Sequence, residues 1–142
     1  MQKIHGQCHC GNIVYDLSLP VVVQELRACG CSFCLAHGAR YASHPDGELR
    51  AWIKNIDAVN RYRFGTSTAE FMVCSVCGGM PFVLSEIDGD CYAVVNANTF
   101  RGIDRDAFAV STTNFDGEDT SSRLQRRKRN WIGRVCIESV PT

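Results

Sequence analysis

A chain of 142 residues with 15 Lys+Arg, 15 Asp+Glu and 45% apolar residues has the length of one ordinary domain and enough apolar content to exclude a disordered segment. Zero net charge argues against a protein whose main partner is a long polyanion, so nucleic acid is not the expected partner. No apolar stretch approaches the roughly 20 residues of a membrane span, and residues 1–8 lack the apolar core of a signal peptide, so the expectation is a soluble, cytoplasmic protein with no membrane partner.

The nine cysteines are the outlying figure. Disulfides are rare in a reducing cytosol and an odd count disfavours a complete internal set, which leaves metal as the leading explanation.

In chain order, Ile13, Tyr15, Leu17 and Leu19 alternate with polar or smaller residues, the period of a half-buried strand, and Pro20 closes it. Val21, Val22 and Val23 open a second β-rich run toward Cys29. Residues 39–42 read as a short strand stopped by the turn cluster Pro45, Asp46, Gly47. Residues 59–64 form another, with Tyr62 and Phe64 on one face. Residues 69–73 lead as a strand into Cys74, and residues 80–87 and 91–95 read as a hairpin around Asp88-Gly89. Short helices are expected near residues 103–108 and 123–129. The period is 2 nearly everywhere, so the class is mainly β, in a single domain over residues 1–142.

Charge is uneven along the chain. Residues 86–119 carry eight acids against Arg101 and Arg105, whereas Arg123, Arg126, Arg127, Lys128, Arg129 and Arg134 follow with no acid among them. The plain reading is a solvated basic helix or tail. The functional one is a contact for an anionic partner in a non-enzymatic, zinc-stabilised binding module.

Seven cysteines fall into three groups: Cys8 and Cys10; Cys29, Cys31 and Cys34; Cys74 and Cys77. A structural zinc takes four thiolate or imidazole ligands, normally as two close pairs. Cys8 and Cys10 lie two apart and can face one side of a strand, and Gly78-Gly79 supplies the permissive backbone of a metal knuckle after Cys74-x-x-Cys77. Those four make a closed site. Cys29, Cys31 and Cys34 then form a three-thiolate set, the arrangement of a catalytic zinc whose fourth position takes water or substrate. His37 or His9 as a fourth ligand would instead make it an inert site, and mixed pairings stay open. Cys91 and Cys136, in apolar surroundings, read as small core residues.

On the motifs Gly6-Gln7-Cys8-His9-Cys10-Gly11, Cys29-Gly30-Cys31-Ser32-x-Cys34 and Cys74-Ser75-Val76-Cys77-Gly78, the chain resembles the glutathione-dependent formaldehyde-activating enzyme family, which includes the centromere-protein-V-like domains. The match spans about residues 5–85; the C-terminal part is unmatched. The resemblance implies a zinc-containing β-tent of small antiparallel sheets with at most one or two short helices. It implies two zinc ions per chain, a structural one on Cys8, Cys10, Cys74 and Cys77 and a labile catalytic one on Cys29, Cys31 and Cys34. The chain departs from the family at Leu35, where a basic residue is usual, at Val73, where an aromatic is common, and at Gly79.

The expected activity is that of a carbon-sulfur lyase or synthase. A small glutathione-like thiol binds the open three-cysteine site as its thiolate and adds to, or leaves from, an aldehyde carbon such as that of formaldehyde. The thiolate makes the site more negative, so a nearby cation is expected, and Arg27 and Arg40 flank the motif as candidates for substrate binding.

Overall fold

The computed structural model describes residues 1–23 and 25–139. Twelve strands and two helices are described: β1 (Gln2–Gln7), β2 (Ile13–Leu19), β3 (Glu25–Cys29), α1 (Ser32–His37), β4 (Arg40–Ala42), β5 (Glu48–Ile53), β6 (Val59–Tyr62), β7 (Glu70–Cys74), β8 (Phe82–Ile87), β9 (Asp90–Asn96), β10 (Phe100–Arg101), β11 (Ala109–Thr113), α2 (Thr120–Asn130) and β12 (Arg134–Ser139). One sheet runs β10-β1-β2-β5-β12 and the other β11-β3-β4-β9-β8-β7-β6.

The mainly β class holds, and so do the small sheets. They are mixed, however, not purely antiparallel. β11 runs parallel to β3 and β12 parallel to β5, because each late strand returns after a long excursion and joins a sheet edge. Those two additions carry the segment beyond residue 100 onto the early part of the chain.

The period-2 reading of β2 is met in full: Ile13, Tyr15, Leu17 and Leu19 are completely buried. They meet Leu49, Ala51 and Ile53 of β5 and Phe82 and Val95 of the second sheet in one apolar core. The expected hairpin is present, with Ile87 opposite Asp90 and both turn residues left-handed, Asp88 at φ 53° and Gly89 at φ 84°. That is the backbone a two-residue turn between twisted strands requires. Gly6 has a different reason. A Cβ there would lie 2.1 Å from the Tyr15 hydroxyl, which is bonded to Thr99 Oγ1 at 2.8 Å.

Other expectations are corrected. Val21 and Val22 are exposed in a turn after Pro20, and the strand starts only at Glu25, Gln24 lying outside the described residues. Residues 103–108 contain one short 3-10 turn, Arg105–Ala107. The helix expected at 123–129 is α2, begun three residues earlier by Asp119, whose carboxylate accepts from the Ser122 amide at 2.8 Å. Cys136 is exposed: β12 turns Val135 and Ile137 onto the core, so the residue between them points out. Cys91 is half-buried.

Candidate metal centres

The sulfurs of Cys8, Cys10, Cys74 and Cys77 lie within 4.8 Å of one another, and those of Cys29, Cys31 and Cys34 form a second group by the same measure. Each group could hold a metal ion. The mixed pairings are not adopted.

The first group is built from two tight turns. In one, Gly11 at φ 83° lets its amide reach back to the Cys8 carbonyl at 3.0 Å, while the Cys8 amide bonds the Ile13 carbonyl at 2.9 Å. In the other, Gly78 at φ 78° donates to the Cys74 carbonyl at 2.7 Å, and Cys74 donates to the Gly79 carbonyl at 2.8 Å. Gly79 packs against its partner turn, since a Cβ there would stand 3.0 Å from Cys8 Cβ. Asn12 clamps the first turn to the chain after β5: its Nδ2 donates to the Asn55 carbonyl at 3.0 Å and its Oδ1 accepts from the Asn55 amide at 2.7 Å.

Sulfur spacing fits a tetrahedral ion. Metal–sulfur bonds of about 2.3 Å demand sulfur–sulfur separations of about 3.8 Å; Cys8 and Cys10 are 3.8 Å apart and Cys10 and Cys74 3.5 Å. Burial pushes the Cys8 thiol up to about 12 despite the Ile13 amide that donates to it at 3.3 Å. Cys77 loses some solvation, but amides of Cys10 and Gly79 outweigh that and bring it down to about 6.

The second group sits where β3 runs into α1. Cys29 ends the strand, Cys31 caps the helix with its sulfur accepting from the Cys34 amide at 3.4 Å, and Cys34 is buried one turn on. Gly38 ends the helix in the left-handed region. The Cys34 side chain holds the Cys29 thiolate and brings that thiol down to about 5, while the Cys34 thiol is driven well above the usual range, first by Cys29 and then by burial. Tyr41 on β4 completes the surroundings, its hydroxyl 3.1 Å from Cys34 Sγ. Burial pushes its phenol up, so it stays a hydrogen-bond donor.

Neither histidine joins the triplet. The His37 ring stacks on Phe33 with centroids 4.4 Å apart and its Nδ1 is 3.0 Å from the Phe33 carbonyl. Both His9 and His37 line a separate surface hollow beside Gly78 and Arg101.

Cys29 and Cys31 open instead into a cavity of about 410 Å³. Its walls include Tyr41, Phe64, Phe71, Val83, Val94 and Trp131, and its cations are Arg27, Arg123, Arg126 and Arg127, with Asp116 and Glu118 as the acids. Arg27 is therefore at the site, where its guanidinium also meets Ser43 Oγ. Arg40 is not among the lining residues and points to Asp106 at 3.8 Å.

The basic segment is the larger surprise. Arg123, Arg126 and Arg127 of α2 turn inward, Lys128 pairs with Asp88 at 3.0 Å, and Arg129 is left exposed. Leu35 is 67% exposed to solvent. Three of the four cations of this site come from α2, beyond residue 85, and the fourth is Arg27 of β3. Sequence spacing gave no sign of this, because residues 120–131 are placed by contacts distant in sequence: β11 pairs with β3, with the Gly30 amide donating to the Thr113 carbonyl at 2.7 Å, and Arg127 bonds Thr68 and Ser85.

No family model matches the chain, and no curated protein does. A crystal structure of a Rhodobacter sphaeroides protein, a structural-genomics target, is similar to it: 28% identity over 77% of this chain and 99% of that one, with a TM-score of 0.59. The fold is thus shared with a solved protein, and no helix of the described residues is long and apolar enough to cross a membrane.

Proposed function

We propose that the chain is a zinc-dependent carbon-sulfur lyase or synthase that holds a small thiol at the Cys29, Cys31, Cys34 site and joins it to, or releases it from, an aldehyde carbon. The observation that carries the reading is the contrast between the two cysteine groups: four sulfurs closed on one another in the first, three sulfurs with two of their cysteines opening into a cavity in the second.

Zinc on three thiolates supplies a docking point for a soft thiolate. The rest is the work of the chain. Tyr41 donates to Cys34 Sγ and so steadies the most buried of the three sulfurs as a thiolate. Arg27, Arg123, Arg126 and Arg127 offset the negative charge that an incoming thiolate adds. Phe64, Phe71 and Trp131 give the cavity beside Cys29 and Cys31 an apolar wall. In the forward direction the thiolate sulfur forms a bond to the carbonyl carbon, the carbonyl π electrons move to oxygen, and that oxygen takes a proton from solvent. The reverse breaks the carbon–sulfur bond and returns the aldehyde.

Two measurements test this. Metal analysis should find two zinc ions per chain, one of them removed by a mild chelator, and cobalt in the labile position should change its charge-transfer spectrum when a thiol is added. A Cys31→Ser protein that retains both metals and still binds the thiol would overturn the reading.

A further inference from the structure

Arg127 is a buried cation without a buried anion. It is 6% exposed, and its Nη1 donates only to neutral groups: the Thr68 carbonyl at 3.2 Å, Thr68 Oγ1 at 2.8 Å and Ser85 Oγ at 3.0 Å. Its Nε–H is buried with no partner. Among the described residues no carboxylate lies within ion-pair distance of it. The neighbouring acid is already taken, since Glu118 accepts from Arg126 Nε and Nη2 at 3.0 to 3.3 Å and stands 3.9 Å from Arg123 Nε. Arg123 Nε also has no hydrogen-bond partner.

A buried guanidinium left without a counter-ion costs several kcal/mol, whereas one that meets a carboxylate in a fork is among the stronger polar contacts. The cavity, which Arg127 lines together with Cys29 and Cys31, is a space beside it that an anion can enter. Much of the remaining wall is apolar: Phe71, Val83 and Val94, neighbours across β7, β8 and β9, with Phe64 and Trp131. Such a surface suits a hydrocarbon or aromatic body.

We propose that Arg127, with Arg123 beside it, is a carboxylate-binding site, and that the thiol this cavity takes is a mercaptocarboxylic acid with an apolar body. The location of the sulfur rests on the reading of the cysteine triplet given above. The anion site does not, because it stands on Arg127, which lines the cavity and has no carboxylate at ion-pair distance among the described residues.

The experiment is calorimetric titration of the zinc-loaded full chain with four probes: 3-phenylpropionate, 4-mercaptophenylacetate, the methyl ester of the latter, and reduced glutathione. The mercapto acid should bind at least about tenfold tighter than its ester, the scale of one charge-assisted bond, and tighter than glutathione. Phenylpropionate, which has no thiol, should bind both the native protein and Cys31→Ser. Arg127→Gln should bring acid and ester to equal affinity, and Arg127→Lys should restore part of the difference. Equal affinity of acid and ester in the native protein overturns the proposal without any variant that must fold, and tighter binding of glutathione overturns the apolar body. Loss of phenylpropionate binding in Cys31→Ser overturns the anion site, since the carboxylate would then sit on the metal. If phenylpropionate binds but the thiol group adds nothing, the anion site stands and the thiol reading of the triplet fails.

Discussion

Replacing Tyr41 by Phe removes one oxygen and leaves the rest of a buried ring in its packing. The lost group is the hydroxyl 3.1 Å from Cys34 Sγ. A hydrogen bond to a charged group contributes about 1.5 to 3 kcal/mol, so the three-cysteine site should hold zinc about ten- to a hundredfold less tightly, the range found when outer-shell partners of metal ligands are removed. The four-cysteine site has no contact with Tyr41 and should be unaffected. Chelator competition read by a zinc-sensitive dye separates the two ions, and only the weaker phase should move in Tyr41→Phe. If the weaker phase stays within about twofold of the native value, or both phases shift together, the hydroxyl is not a support of that thiolate and the reasoning fails.

Three further outcomes follow from the same geometry. Cys10→Ser should lower metal content and cost the fold much of its thermal stability, because the site ties β1–β2 to β7–β8, whereas Cys31→Ser should lose one zinc with a small change in Tm; the reverse ranking in metal analysis and calorimetry would reject the division of roles. Gly6→Ala must displace the Tyr15 ring, so it should destabilise by about 1 to 3 kcal/mol in chemical denaturation, and an unchanged midpoint would contradict the close approach. In the zinc-free, reduced protein Cys29 is held down to about 5, chiefly by Cys34, against 9 for an ordinary thiol. Between those values the unfolded chain carries a proton that the folded one does not, so this contribution grows as pH rises from about 5 to 9 and is lost as pH falls. The Tm difference between native and Cys29→Ser proteins should therefore widen upward through that window, and a flat difference would count against it.

The residues of both metal groups were legible in the sequence because a ligand set is a matter of residue type and short spacing, and each half of each site is local. β2 and the Asp88-Gly89 hairpin were legible for the same reason, one from its alternation and the other from a two-residue turn. What spacing could not carry was distance in space. Tyr41 had no local signature beyond a short strand, and its meeting with Cys34 depends on the β3–β4 pairing, which sets Tyr41 opposite Arg27. β5, β10, β11, β12 and α1 carried no expectation: β11 and β12 pair with strands far off in sequence, α1 is six residues long and β10 two. Cys136 misled by composition, since apolar neighbours on both sides of a strand residue place those neighbours inside and the residue itself outside.

Zero net charge argued for an enzyme over a polyanion-binding module, but the sum conceals how the charges are arranged. A divalent ion on three thiolates keeps one net negative charge, and a bound thiolate adds a second. Facing that, the cavity wall carries four arginines against two acids. These arginines are not loose. α2 is capped by Asp119, Arg126 is forked onto Glu118 and lies 3.6 Å over the Phe115 ring, Arg127 is bonded to Thr68 and Ser85, and Lys128 reaches Asp88. Cations fixed in this way have already lost their rotamer freedom when the chain folds, so binding an anion there does not have to order them. Of the basic run that looked like a solvated tail, Arg123, Arg126 and Arg127 are, by their packing, part of the wall of the cavity that Cys29 and Cys31 open into, while Arg129 and Arg134 stay exposed.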